Sequence, residues 1–463
     1  VNDKRTQHPT EGNTMSDRPT QITQSRTDPH RLRLWFLART GDPVAKLLEP
    51  GFRGDPHALY EHMRSHGPVH HSRTGLRAVM SYDACSEVLH NPHLQAPEAS
   101  AHLIERAPIP QATALDLSGI RAAASDQAQA VASPLLRPVL HPSLPRIEAV
   151  AHGLLRRRAE AGFLDVVDHF AFPLAVACLG ELLGVPAAHS ARFTQICHTL
   201  GRPLRTAPSS AEAEALYDAK EDLAALVIRL EHERQQSPGD DLISRLSVPR
   251  HGDQTGDDVT RLLDHIHRQD LQEAANPGTQ GAPTGQLTLV EVAGVCATLA
   301  VSGLDAAVCL ISNAVAALGA RPEQWQTLRT EPQLAGEAIE ETLRFDPPRP
   351  FALRVAGERV QVAGHTVPPG SGLLVMLAAA RRDPARFHAP DRFDLTRRAE
   401  PGHLVADGDM TLATSWARLT AEVALQALAD GLPHLRLAGQ VIRRPGGVVR
   451  GFTRLPVHAS PTA

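Results

Sequence analysis

No cysteine follows Cys309. The five present, at positions 85, 178, 197, 296 and 309, form no C-x-x-C pair and no metal-ligand spacing. A thiolate zinc site is thereby excluded, and the C-terminal third is left without any thiolate ligand or nucleophile. Lysine is as scarce, standing only at 4, 46 and 220, so positive charge is almost all arginine. With abundant Ala, Gly and Pro, that bias points to a GC-rich genome such as an actinomycete's. A net charge of −4 gives no basic excess for nucleic acid or an anionic membrane surface. The first thirty residues lack the apolar core of a secretion signal. Free, scattered thiols fit a reducing compartment, and a cytoplasmic location is expected.

What is present suits one large core. The chain has 463 residues, 42% of them hydrophobic, and no internal repeat. Residues 1–28 are polar and rich in Thr, Gln, Asp and Pro, which predicts a disordered tail, and Met15 offers a second start beside Val1. Residues 248–285 read as a polar loop or insertion. The long weakly polar stretch Leu287–Ala320 follows. It is apolar enough to span a bilayer, which takes ~20 residues, but Glu291 and Asp305 would each cost several kcal/mol at bilayer depth. A central helix buried all round in a mainly α domain is the better account.

Several phrases then occur in register. Glu341-Thr342-Leu343-Arg344 places an acid and a base on one helix face, three residues apart, followed by Phe-Asp-Pro-Pro. Ala380-Arg381-Arg382-Asp383-Pro384 comes next, then Pro390-Asp391-Arg392. Ser302-Gly303-Leu304-Asp305-Ala306-Ala307 lies inside the central helix. In this order the phrases resemble the cytochrome P-450 superfamily: its E-x-x-R helix, its A-N-R-D-P stretch with Arg381 for Asn, and its A-G-x-[D/E]-T-T motif. The N-terminal phrases Asp55–Arg64, Phe163–Pro173, Glu181–Pro186 and Pro238–Arg245 also fit, so the resemblance covers about residues 50–440. It implies a mainly α fold with small β-sheets, a single domain over 29–463. It also implies a buried structural triad of Glu341, Arg344 and Arg392.

The same resemblance implies a haem held by a cysteine thiolate, which promotes O–O cleavage. That ligand is missing. Anchored on Ala417-Arg418-Leu419, the thiolate position falls on Thr411 and the following glycine on Ala413. The loop from His403 is short, and only Gly408 remains where close backbone approach to a porphyrin needs glycine. The family's proton-managing threonine is Ala306, although the adjacent acid survives as Asp305. Its propionate-binding histidine and arginine fall near Ser133 and Arg137, flanked by helix-breaking Pro134 and Pro138. Arg354 stands where a second propionate partner is expected. His403 and Met410 are the nearest substitute ligands, and among 24 histidines one in a loop says little. No bound haem and no monooxygenase activity are expected.

A scaffold of this kind without its thiolate resembles the auxiliary proteins of deoxysugar glycosyltransferases. These are haem-free homologues that bind and activate a partner using a nucleotide-activated deoxysugar on a polyketide aglycone in antibiotic biosynthesis. The segment Trp35…Gly41-Asp42-Pro43, ending in Leu47-Leu48, resembles that subgroup's leader. Exposed aromatics and arginines are typical interface anchors. Leu34, Trp35, Phe36 and Arg39 are therefore expected at a hetero-oligomeric interface, with coverage of the domain's own core as the alternative. Two other functional readings remain open at this point: an enzyme repurposed or using haem through a non-cysteine ligand, and a carrier of a hydrophobic small molecule.

Overall fold

The computed structural model describes residues 29–49, 51–52, 54–95, 124–159, 162–201, 210–247, 287–397, 412–446 and 449–458. The tail 1–28, the insertion 248–285, and His403, Met410 and Thr411 lie outside the described residues. Helices dominate, and the main core is built almost wholly from them.

At its centre runs one continuous helical rod of three pieces, Leu289–Thr298, a π-helical turn over Leu299–Gly303, and Leu304–Gly319. Thr288 caps its start in a capping box with Glu291, so that acid serves the helix terminus. The rod is long and apolar enough to cross a membrane by length and composition, and most of it is buried within the protein. The helix Leu412–Gly431 packs along it, with the helices Phe172–Leu183 and Ala335–Phe345 beside it.

A five-stranded sheet forms the second layer. Its order is Val69–His71, Arg77–Val79, Gly372–Val375, Ala352–Ala356 and Leu94–Gln95. Only Arg77–Val79 with Gly372–Val375 is parallel, the other pairs being antiparallel. All four residues of Gly372–Val375 are buried, as a central strand covered on both faces should be. Phe163–Asp165, which opens one of the family-like phrases, is a short strand paired with Pro456–His458.

The leader folds as a helical hairpin on the edge of this layer. Helix Pro29–Arg39 ends at Gly41, whose φ of +92° favours glycine. Asp42 then caps helix Pro43–Leu48 by accepting from the Ala45 N–H at 2.9 Å, and Pro43 takes the first turn, where a missing N–H costs nothing. The same carboxylate accepts from the Ser72 hydroxyl and the Arg73 N–H, at 2.9 and 2.7 Å, tying the hairpin to the turn between the first two strands. Each residue of the Gly-Asp-Pro phrase thus has a local mechanical reason.

Candidate functional site

The acid–base helix forms as its spacing requires. Arg344 is fully buried and donates to both oxygens of Glu341, at 2.8 and 2.9 Å. It also donates to the carbonyls of Arg381, Pro390 and Arg392, at 3.1, 2.7 and 3.0 Å. One guanidinium therefore binds its own helix to three points of the following segment. The expected triad needs correction at its third member. The Arg392 side chain is exposed, and only its carbonyl takes part. The second cation on Glu341 is Arg397, whose Nε lies 3.3 Å from the carboxylate. Sequence reading missed Arg397 because a short hinge turns the chain between the two arginines. The only earlier signal was its position three residues past the Asp391-Arg392-Phe393-Asp394 phrase, in which Phe393 is the buried residue.

Asp346, just after this helix, is a second buried hub. It receives Arg450 at 2.7 Å and Arg443 at 3.0 Å. Burial alone would raise its pKa, but Arg450 and Arg443 hold it below the ordinary 3.8. A carboxylate with a depressed folded pKa contributes stability that is present above the ordinary value and lost as pH falls through the folded one. Asp346→Asn should destabilise the fold by about 3–5 kcal/mol at neutral pH, because two cations lose a buried partner. Its stability should also fall less steeply below pH ~4 than the wild type's, as read by denaturant unfolding across pH.

The place where a haem would lie is set by chemistry. Its iron takes the thiolate on one face and oxygen on the other. A macrocycle would therefore adjoin the start of the helix after the thiolate position, Leu412–Gly431, and the oxygen-handling motif of the central helix. In this protein those helices meet. The Trp416 indole, fully buried, packs on Gly303, where an added Cβ would come within 3.1 Å of the ring. Leu412 and Ala413 are buried on the same helix. Among the described residues Trp416 Nε1 has no hydrogen-bond partner. Leaving such a group unsatisfied costs about 1–3 kcal/mol, which the ring's packing must exceed. Among the described residues, an indole fills the space beside the oxygen-handling motif, and the sequence offers no cysteine at the start of the facing helix.

The remaining family positions have been put to other uses. Asp305 is paired with Arg444 at 2.6 Å. Arg444 also donates to Cys309 Sγ at 3.0 Å. Burial opposes the Arg444 charge, yet Asp305 and then Cys309 hold its pKa above that of ordinary arginine. Burial pushes the Cys309 thiol up to about 12, with Arg444 opposing, so it is a neutral thiol rather than a ready ligand. Nearby, a cavity lined by Phe52, Arg443, Arg444 and Arg450 has a volume of about 10 Å³, room for roughly one water. Ala306 is half-buried on the central helix.

On the opposite flank, the helix expected to present propionate partners is broken. It runs as Asp126–Ala132, a 3-10 turn Ser133–Leu135, and Leu136–Leu140. Ser133 is half-buried in that turn, and Arg137 forms a 3.0 Å surface pair with Glu422 of the Leu412–Gly431 helix. Arg354 is buried within its strand and donates to the Leu353 carbonyl. Among the described residues no group of three or more His, Cys, Asp or Glu is placed to hold a metal ion.

The leader residues separate into two sets. Leu34 is buried at 4% exposure with Ala38, so its expected interface place is corrected to a core one. Trp35 and Phe36 are exposed at 47% and 59%, as is Leu32 at 56%. The Arg39 guanidinium lies 5.0 Å over the Trp35 ring.

Comparison with known proteins places this architecture. Residues 313–401 match the family model "Cytochrome P-450". Protein AknT of Streptomyces galilaeus is 32% identical, over 95% of this chain and 97% of its own. Protein DesVIII of Streptomyces venezuelae is 29% identical, over 92% and 91%. The biotin biosynthesis cytochrome P-450 of Bacillus subtilis is 31% identical, over 68% and 72%. Among solved structures, the cytochrome P-450 enzyme CYP109B1 from Bacillus subtilis superposes with a TM-score of 0.65 at 25% identity, covering 87% of this chain and 99% of its own. A helix-dominated scaffold, the E-x-x-R pair in place, and full-length relatives agree: the chain belongs to the cytochrome P-450 family.

Proposed function

We propose that this chain is a haem-free, non-catalytic member of its family. In this reading it binds and activates a partner glycosyltransferase, one that transfers a nucleotide-activated deoxysugar to a polyketide aglycone of the anthracycline or macrolide type. The pair works in the cytoplasm as a hetero-oligomer. Family membership does not decide this, because catalytic relatives match at similar identity. The observation that carries it is the Trp416 ring seated on Gly303, filling the space beside the oxygen-handling motif. The Asp305–Arg444 pair supports it, since the surviving acid of the oxygen-handling motif is engaged in a salt bridge. The absence of any cysteine after Cys309 supports it again.

Activation needs no chemistry from this chain. A protein that binds only the competent conformation of its partner raises that conformation's population by its differential affinity. At a free concentration 100 times Kd the gain is about 2.7 kcal/mol, close to a hundredfold in population. The test is purification from a haem-replete host, followed by co-expression with deoxysugar glycosyltransferases of the source genome. A colourless protein, negative in the pyridine haemochrome assay, that co-purifies with one transferase and raises its turnover is the expected result. Stoichiometric haem retained through gel filtration would overturn the reading, as would a transferase fully active alone and indifferent to this chain.

A further inference from the structure

Helix Pro29–Arg39 carries two apolar stripes where one would suffice. Leu34 and Ala38, with half-buried Leu37, face inward and join Leu47, Tyr60, Met63 and Leu76 in the core under the sheet. Leu32, Trp35, Phe36 and Arg39 follow the i, i+3, i+4, i+7 spacing of a second face, which looks outward. Three large apolar side chains exposed side by side on a surface helix are of the kind that marks an interaction site. The hairpin turn and the Asp42 contacts with Ser72 and Arg73 fix the helix to the fold, so the outward stripe is presented on a braced element.

Charge selects the kind of cover. The helix includes Arg31, Arg33 and Arg39, and no Asp or Glu occurs from Pro29 until Asp42, which is buried and committed to capping. Arg73, more than half exposed, donates to the Thr40 carbonyl and lies 3.8 Å from Asp42, so that the hairpin's one acid is already matched and the helix arginines keep the face positive. We infer that this outward face docks in an apolar groove on the partner glycosyltransferase whose rim carries carboxylates. Trp35 and Phe36 are the inserted anchors and the flanking arginines meet the rim. This rests on the proposed function and adds to it the surface and the chemistry of the contact. A bilayer is the poorer match, because half of the helix is already used against the chain's own core and only a narrow ridge projects.

Trp35 supplies an internal probe, since Trp325 and Trp416 are both fully buried. The experiment uses the full chain and the glycosyltransferase that co-purifies with it. Wild type should bind with a blue shift of Trp35 emission. Trp35→Ala with Phe36→Ala should keep the wild-type melting temperature and weaken binding at least thirtyfold, as loss of an aromatic anchor pair commonly does. Arg33→Glu with Arg39→Glu should weaken it further as ionic strength falls, the reverse of the wild-type trend. Unchanged affinity in the double alanine variant, with wild type still binding and activating, would overturn this interface and leave the auxiliary reading standing. Failure of wild type to bind any transferase would instead remove the auxiliary reading. Three outcomes would each assign the face to another occupant and overturn the inference. They are Trp35-dependent self-association by light scattering, Trp35-dependent binding to phosphatidylglycerol vesicles, and a red shift of Trp35 emission on deletion of residues 1–28.

Discussion

Arg344→Ala should yield protein that is insoluble or destabilised by about 3–5 kcal/mol, whereas Arg392→Ala should stay within about 0.5 kcal/mol of wild type. The two residues look equivalent in the sequence phrase, and the structure separates them. Arg344 is fully buried, and its removal leaves Glu341 in the interior with Arg397 as its remaining cation and takes the side-chain donor from the carbonyls of Arg381 and Pro390, while that of Arg392 keeps Arg397. Arg392 offers only a backbone carbonyl, which alanine retains. Arg397→Ala should fall between them, because its side chain reaches Glu341 from a position still partly open to water. Denaturant unfolding of the three variants checks the order. Equal effects at 344 and 392 would mean that the side chain of Arg392 engages the core after all.

This contrast marks where the sequence was informative. The Glu341–Arg344 pair was legible because helix periodicity fixes which side chains meet at i and i+3. The length and burial of the central helix were legible from its composition, with the capping role of Glu291 as the added detail. Arg397 was not legible, since its approach to Glu341 depends on how an irregular segment turns, and such turns carry no period. Leu34 was misplaced for a related reason. In a helix that is apolar on two sides, composition cannot say which stripe the fold covers, and only the docking against Tyr60, Met63 and Leu76 decides it. The missing thiolate was plain in the sequence. The Arg444 bridge to Asp305 was not, because it joins residues 139 apart in the chain through the packing of the last sheet segment.

Trp416→Ala should cost about 3–5 kcal/mol, the range for removing a large aromatic from a packed interior. The fold and the partner contact at the leader should survive at low temperature. The ring lies between the two longest-packed helices of the core, and its loss leaves a void that the rigid rod of the central helix cannot follow inward. Trp416→Phe should cost much less. It keeps most of the contact with Gly303 and deletes the buried Nε1–H that has no partner among the described residues, recovering part of the roughly 1–3 kcal/mol of its desolvation. Thermal unfolding of the two variants, with haem-binding titration of the alanine one, separates two accounts of the slot. If the ring is the filler of a slot that once held a macrocycle, the alanine variant is unstable and phenylalanine nearly restores it. It still takes up no stoichiometric haem, since neither a thiolate nor the propionate partners return with the space. An alanine variant as stable as wild type would show that the helices already meet without the ring. In that case the replacement of the cofactor site would have to be sought in the backbone approach of the helices.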